Sequence, residues 1–240
     1  MSEISLDGIP EWLMGRNSMH VSGMLPQGFE AYLRILHPAA GPSLGEEELP
    51  RPVTWSDIAA GTGIALQPET TWRELAGGPW DNVDVPGMGT VHPPAEGRLD
   101  QSSMIQLGKY LGETADKSTP IIAGFWDGWE PLANNASAPV EGVTRLEGSY
   151  SVNQGQYLFY TFSPESLSTA QWMDSVEFGW AEGNGITPSF LFPLNRAWCF
   201  ATDLDQNSSL LGGPRSLVDP LLELNQLEAL AIDQDADLSI

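Results

Sequence analysis

The residues best suited to chemistry are two aspartates that follow a predicted buried strand. Asp203 and Asp205, with Asn207, have the D-x-D-x-N spacing that opens a calcium-binding loop. Such a loop also needs glycine at its sixth position and glutamate at its twelfth, where this chain has Ser208 and Pro214. The calcium pattern therefore fails. The alternative is a polar turn in which Asp and Asn side chains hydrogen-bond to nearby backbone.

A second candidate is the aromatic segment 125–129, with the sequence FWDGW. Asp127 followed by Gly128 favours a two-residue hairpin turn, because both residue types tolerate the positive φ that such turns need. Trp126 and Trp129, on either side of the turn, would form a platform on which a sugar, a base or a peptide side chain stacks. The alternative is an aromatic pair that closes a hairpin or covers the edge of the core.

The histidines and the single cysteine have no spacing that indicates a metal site or a nucleophile. His37 precedes a proline at the end of a predicted strand, where it is either a structural histidine or a base in a pocket. Cys199 lies between two aromatic residues and behaves as a small hydrophobe there. We predict no catalytic residue, no metal and no cofactor. The candidate set for binding a ligand or partner is Trp126, Asp127, Trp129, His37, Asp203 and Asp205.

The strands that would position these residues are marked by alternation of side chains. The segment 196–205 is apolar on both faces, with large residues on one and Ala and Cys on the other, which predicts a central strand covered on both sides. Further strands are predicted at 31–37, 120–127 and 190–192, with a hairpin over 148–162 and an edge strand at 227–233. They predict an α+β fold with a mixed or mostly antiparallel central sheet and helices packed on it.

Helices are predicted where a capping residue precedes an apolar pattern. Thr54 and Asp100 would begin two of them, Ser163 a third, and 70–75 is a fourth. We expect a single domain over 1–240, with 113–119 as the place where a division would fall, and an acidic flexible tail at 233–240. The Gly- and Pro-rich segments 39–52 and 77–97 are predicted surface loops, either functional or mobile.

Tryptophan is also abundant outside the FWDGW segment. Several of the nine tryptophans fall on predicted helices or loops, namely Trp55, Trp72, Trp80, Trp172 and Trp180. Some of them are expected to form an exposed aromatic patch, which would favour a protein interface.

The charge balance limits the classes of partner. The chain has 32 Asp and Glu against 10 Lys and Arg, for a formal net charge of −22 at pH 7. A protein that binds nucleic acids or anionic membranes needs clustered basic residues, so neither is expected as a partner of this chain. A basic protein partner fits this charge, although net repulsion that keeps the chain soluble is the simpler explanation. The N-terminus lacks a secretory pattern and no apolar run could cross a bilayer, so we expect a cytoplasmic protein.

Several blocks of sequence resemble a family of uncharacterised actinobacterial proteins of about this size. The blocks are YLRILHP at 32–38, VTW at 53–55, Trp72, FWDGW at 125–129 and RAWCFATDLDQNSSLLGG at 196–213. That family has no known activity, so the resemblance implies one shared architecture and variable loops at 39–52 and 77–97. A looser resemblance is to acidic, tryptophan-bearing α+β immunity proteins that neutralise bacterial toxins, without a motif that matches residue by residue.

Two hypotheses of function follow. The first is a non-enzymatic interaction module of the immunity or inhibitor type, which binds a basic partner through acidic loops and exposed aromatic residues. The second is a small hydrolase or small-ligand-binding protein. In it, Asp203, Asp205 and His37 would line a pocket near the Trp126–Trp129 turn.

Overall fold

The structure is a computed structural model with an α+β fold, as predicted. It describes residues 8–13, 19–42, 50–128, 144–146, 150–152, 155–169 and 187–239. The strands in these ranges are β1 (Ala31–Leu36), β2 (Ala39–Ala40), β3 (Pro52–Val53), β4 (Val83–Val85), β5 (Gly89–Val91), β6 (Ile121–Trp126), β7 (Thr144–Arg145), β8 (Tyr150–Val152), β9 (Gly155–Phe162), β10 (Phe190–Pro193), β11 (Cys199–Ala201), β12 (Ser208–Gly213) and β13 (Ala229–Ile232).

Most of the described helices are short, and the longest has 14 residues. They are α1 (Ile9–Leu13), α2 (Val21–Met24), α3 (Trp55–Thr62), α4 (Trp72–Ala76), α5 (Gln101–Thr114), α6 (Pro164–Leu167) and α7 (Arg215–Val218), followed by a 3-10 helix (Asp219–Glu223). The predicted caps begin three of them, because the side chains of Thr54, Asp100 and Ser163 accept hydrogen bonds from the first turns of α3, α5 and α6. Within the described ranges, no helix is long and apolar enough to cross a bilayer.

Nine strands form one sheet in the order β13-β1-β12-β11-β10-β6-β9-β7, with β8 also paired to β9. Every pairing observed among the described strands is antiparallel. The predicted central strand is β11, which lies between β12 and β10. Strands from both sides of residues 113–119 pair in this sheet, since β1 pairs with both β12 and β13.

Both faces of β11 are covered, as the alternation of its residues predicts. Trp198 and Phe200 belong to the core beneath α5, which contributes the buried side chains of Met104, Leu107 and Leu111. The small residues on the other face of β11 pack with α1 and α2. Each large side chain buried in these layers contributes about 1.5–3 kcal/mol to stability.

A third, smaller core lies under the segment 77–97. The indole rings of Trp55 and Trp72 meet edge to face at 5.6 Å, and the buried valines of β4 and β5 pack beside them. The Gly- and Pro-rich composition of 77–97 predicts a surface loop, but this segment contains the β4–β5 hairpin. The reason is that its valines alternate with polar residues and face the core, so the segment is a structured cover for it.

The acidic segment that follows β13, for which the sequence predicts a flexible tail, is attached to the chain near α2. The backbone N–H of Ser22 donates to the carbonyl of Gln234 at 2.8 Å, and that of Leu238 donates to the carbonyl of Met19 at 2.9 Å. The Leu238 side chain is only 1% exposed. One buried leucine and these backbone bonds thus hold residues 233–239 against the fold despite three aspartates.

Candidate interaction surface

One end of the sheet collects the described residues of the candidate set. The strands alternate in direction, so the carboxyl ends of β1, β11 and β6 lie at the same end as the amino ends of β12, β10 and β9. His37 follows β1, Asp203 and Asp205 follow β11, and Trp126 and Asp127 close β6. The sheet therefore places these five residues, from three distant parts of the chain, at one end of its strands. Trp129 lies outside the described residues.

Trp126 and Asp127 are held by the start of β9. The backbone N–H of Asp127 donates to the carbonyl of Gln156 at 2.9 Å. The half-buried ring of Trp126 lies directly over Gly128, where any side chain would collide with it. Glycine at 128 leaves room for this ring. Neither Asp127 nor Gly128 has a positive φ, so the turn is not of the two-residue hairpin type that the dipeptide predicts. The two neighbours of β6 in the sheet are β10 and β9, which come from later segments, so the predicted hairpin across Asp127 and Gly128 is not among the pairings of β6.

Asp203 and Asp205 form a polar turn, the alternative to a calcium loop. The Asp205 backbone N–H donates to Asp203 Oδ1 at 3.0 Å, and the Gln206 N–H donates to the Asp203 carbonyl at 3.1 Å. Both aspartates remain exposed. Within the described ranges, no group of three His, Cys, Asp or Glu side chains is arranged to hold a metal ion. The turn therefore presents two carboxylates to solvent.

Tyr157, which the sequence does not single out, links Asp203 to Asp127. Its ring packs edge to face on Phe190 at 5.0 Å, and the residue is 9% exposed. Burial, and after it the negative charges of Asp203 and Asp127, raise the pKa of the Tyr157 phenol to about 12. Both carboxylates act on this one phenol, so Tyr157 lies between the ends of β6 and β11, which β10 separates.

His37 lies at the same end of the sheet but belongs to the core. It is 1% exposed, and β12 separates its strand from β11, so two strand spacings, about 10 Å, lie between them. Its Nδ1 is 2.7 Å from the carbonyl oxygen of Ala95, and its Nε2 is 2.8 Å from Ser209 Oγ. A carbonyl only accepts, so Nδ1 carries the proton and Nε2 accepts from Ser209. Neither nitrogen is open to a substrate.

The environment of His37 favours its neutral form. Burial lowers its pKa to about 4, although the hydrogen bond to Ala95 and the charge of Asp100 act in the opposite direction. Ser209 is fully buried and also contacts Thr202, with 2.6 Å between the two hydroxyl oxygens. This serine–histidine contact therefore cross-links three strands and the segment around Ala95. A Ser/His/Thr row of this kind leaves no signal in the sequence, because its members are far apart in the chain.

The segment around Ala95 brings another carboxylate to this end of the sheet. Gly97 has φ 72°, its N–H donates to the carbonyl of Gln206 at 2.9 Å, and a Cβ there would lie 2.8 Å from the carbonyl oxygen of Leu204. The two turns therefore contact each other through backbone, which requires glycine at 97. This contact places Glu96 beside the Asp203–Asp205 turn.

Glu96 in turn holds an exposed tryptophan. The indole N–H of Trp80 donates to Glu96 Oε1 at 3.0 Å, while the Trp80 side chain is 69% exposed. By contrast, Trp55 and Trp72 are buried, and Trp172 and Trp180 lie outside the described residues. Of the tryptophans predicted to form an exposed aromatic patch, Trp80 is the one that is exposed among those that the structure describes, so these residues provide a single exposed ring and not a patch.

We call the surface formed by these groups the acidic end surface. It consists of Trp80, Glu96, Trp126, Asp127, Asp203 and Asp205. Arg98 is the one lysine or arginine in the segments that build it, 92–98, 126–128 and 202–207. Arg34 is buried and does not reach solvent: it donates to Ser208 and to two backbone carbonyls, and burial lowers its pKa to about 10. The surface is therefore predominantly negative.

Two open grooves lie at the opposite end of the sheet. One, of about 450 Å³, lies between Phe29, Arg215 and Asp233, and the other, of about 260 Å³, lies between Thr119 and Trp198. No residue of the acidic end surface lines either groove. Neither groove therefore provides a pocket for the candidate residues.

Comparison with family models, curated proteins and solved structures finds no match for this chain. The resemblance to the actinobacterial family and the looser one to immunity proteins remain predictions. The function must therefore be argued from the surface itself.

Proposed function

We propose that this is a cytoplasmic, non-enzymatic interaction module, of the immunity or inhibitor type, that binds a basic protein partner through its acidic end surface. One observation carries the proposal: four carboxylates from three separate segments lie at one end of the sheet, with Trp126 in one of these segments and Trp80 bonded to another. The acids of this chain are otherwise spread along the sequence, so their convergence is a property of the fold.

The chemistry of the surface suits a cationic protein. Clustered carboxylates raise the association rate of a positively charged partner and reject negatively charged ones, including nucleic acids and anionic lipids. Tryptophan side chains within such a surface become buried when the partner binds, and they add contact area to the electrostatic attraction. The hydrolase alternative receives less support, because both ring nitrogens of His37 are already hydrogen-bonded inside the core.

The test uses a short lysine-rich peptide as a defined cationic probe, titrated calorimetrically into the full-length chain at low ionic strength. The triple variant Asp127→Asn, Asp203→Asn, Asp205→Asn removes three charges and keeps groups that can accept the Asp205 N–H bond. The control variant Glu113→Gln, Glu165→Gln, Glu223→Gln removes the same charge from exposed residues outside this surface.

We expect the triple variant to weaken binding by about tenfold, from three partly screened ion pairs of about 0.5 kcal/mol each. The control variant should lose much less. Equal weakening by the two variants, or no measurable binding of the peptide to the wild-type chain, would remove the support for this surface.

A further inference from the structure

We propose that Trp80 and Glu96 form a recognition site for an arginine side chain of the partner, an inference that rests on the proposed function and specifies its contact. The indole ring would receive the guanidinium on its face, and the Glu96 carboxylate would accept its N–H groups. The site is distinct from the Trp126–Trp129 segment that the sequence emphasises.

The geometry holds Trp80 in an exposed position. Gly78 to Asp81 form a turn, closed by the Asp81 N–H donating to the Gly78 carbonyl at 3.3 Å, with Pro79 and Trp80 at its centre. The buried Trp72 fixes this turn, since its indole N–H donates to the Asp81 carbonyl at 2.9 Å. A ring fixed by a turn, a proline and a side-chain bond loses little freedom when it binds.

The electrostatics around the ring select a cation. Glu96 Oε1 accepts the indole N–H of Trp80, and no hydrogen bond to Oε2 is observed among the described residues. Asp81 and Asp84 are exposed in the same segment, and the Asp203–Asp205 turn adjoins Glu96 through Gly97. A cation over the indole face is attracted by the ring as well as by these carboxylates.

Arginine fits this arrangement better than lysine. The guanidinium is planar, so it stacks on an indole and still presents N–H groups in its own plane to a carboxylate. An ammonium group is a compact, strongly hydrated charge and does not make both contacts with the same orientation. The site therefore predicts a preference between two residues of equal charge, which a general acidic surface does not.

The experiment compares an arginine-rich peptide with a lysine-rich peptide of equal length and charge. Affinities are measured by calorimetry for the wild-type chain, Trp80→Leu, Trp80→Phe and Glu96→Gln, with Ile64→Ala as the control at another exposed hydrophobic residue. The indole N–H resonance of Trp80, assigned from its absence in Trp80→Phe, reports on contact with each peptide. Circular dichroism checks that the variants fold.

We expect the arginine peptide to bind the wild-type chain about twofold to fivefold more tightly, because a lysine that contacts the carboxylate forgoes one exposed cation–π contact. Trp80→Leu should abolish this preference, Trp80→Phe and Glu96→Gln should each reduce it, and Ile64→Ala should preserve it. Equal affinities, with the Trp80 resonance unmoved and the Asp127/Asp203/Asp205 variant still weaker, would overturn the arginine site and leave the proposed function standing. Binding of neither peptide would overturn both. Concentration-dependent self-association that Trp80→Leu abolishes would instead assign the ring to a contact between copies of this chain.

Discussion

Acidification tests the role of His37 as a neutral cross-link between the sheet and the segment around Ala95. The unfolded chain binds a proton at the ordinary histidine pKa of 6.5, whereas the folded chain does so only near 4. Between these values the unfolded state is protonated and the folded state is not. The contribution of His37 to stability is therefore fully present above about pH 6.5 and is lost as the pH falls toward about 4.

The size of this loss follows from the displacement of the pKa. A fall from 6.5 to about 4 corresponds to about 3 kcal/mol of unfolding free energy, with about 2 kcal/mol already lost by about pH 5. At about pH 5, most carboxylates are still charged, so the histidine dominates this part of the curve. The charge of Asp100 raises the pKa of His37 and the charge of Arg34 lowers it, and the value of about 4 includes both effects.

The assay is urea unfolding of the wild-type chain, His37→Gln and the control His92→Gln at several pH values from 7 to about 5. His92 is exposed, so the control substitution changes a surface histidine and leaves the core unaltered. We expect His37→Gln to be less stable than wild type at pH 7 but to lose about 2 kcal/mol less on acidification. His92→Gln should follow the wild-type curve. Parallel pH dependence of wild type and His37→Gln would refute the assignment of a buried, neutral His37.

Two further predictions concern the groups that shape this end of the sheet. Gly97→Ala should destabilise the fold more than Gly87→Ala. Each substitution costs about 1–2 kcal/mol because the backbone is left-handed at both positions, but only an alanine at 97 would also collide with the Leu204 carbonyl. Equal urea midpoints for the two variants would contradict that contact. Arg34→Leu should lower the free energy of unfolding by about 2 kcal/mol or more, because it leaves buried acceptors unpaired. The exposed control Arg73→Leu should change it by less than about 0.5 kcal/mol. Similar unfolding free energies for the two variants would show that the buried guanidinium contributes little.

Local patterns in the sequence predict much of the framework. The alternation in 196–205 identifies β11 as a central strand covered on both faces, although only Cys199–Ala201 are paired as strand. Capping side chains identify the starts of helices, because a cap acts within one turn of its own residue. The 148–162 hairpin is likewise a short-range feature, and its β8 and β9 strands are present.

The composition of the acidic end surface could not be predicted in the same way. Glu96, Asp127 and Asp203 share one end of the sheet only because β6 and β11 run in the same direction and Gly97 contacts the turn after β11. Such pairings depend on sheet order, which no local pattern encodes. The exposure of Trp80 is equally non-local, since Trp72, eight positions earlier, is buried by the third core. Valines spaced at two within 83–91 were the available signal for the β4–β5 hairpin.

The central claim is that a cationic partner binds at the acidic end surface, and NMR mapping tests it most directly. The lysine-rich and arginine-rich peptides would be titrated into isotopically labelled protein while backbone amide shifts are followed. The account predicts shifts concentrated at Glu96–Gly97, Asp127, Tyr157 and the Asp203–Asp205 turn, diminished by the Asp127/Asp203/Asp205 variant. Shifts that instead cluster around the groove beside Phe29 and Asp233, or that spread evenly over the exposed acids, would contradict it.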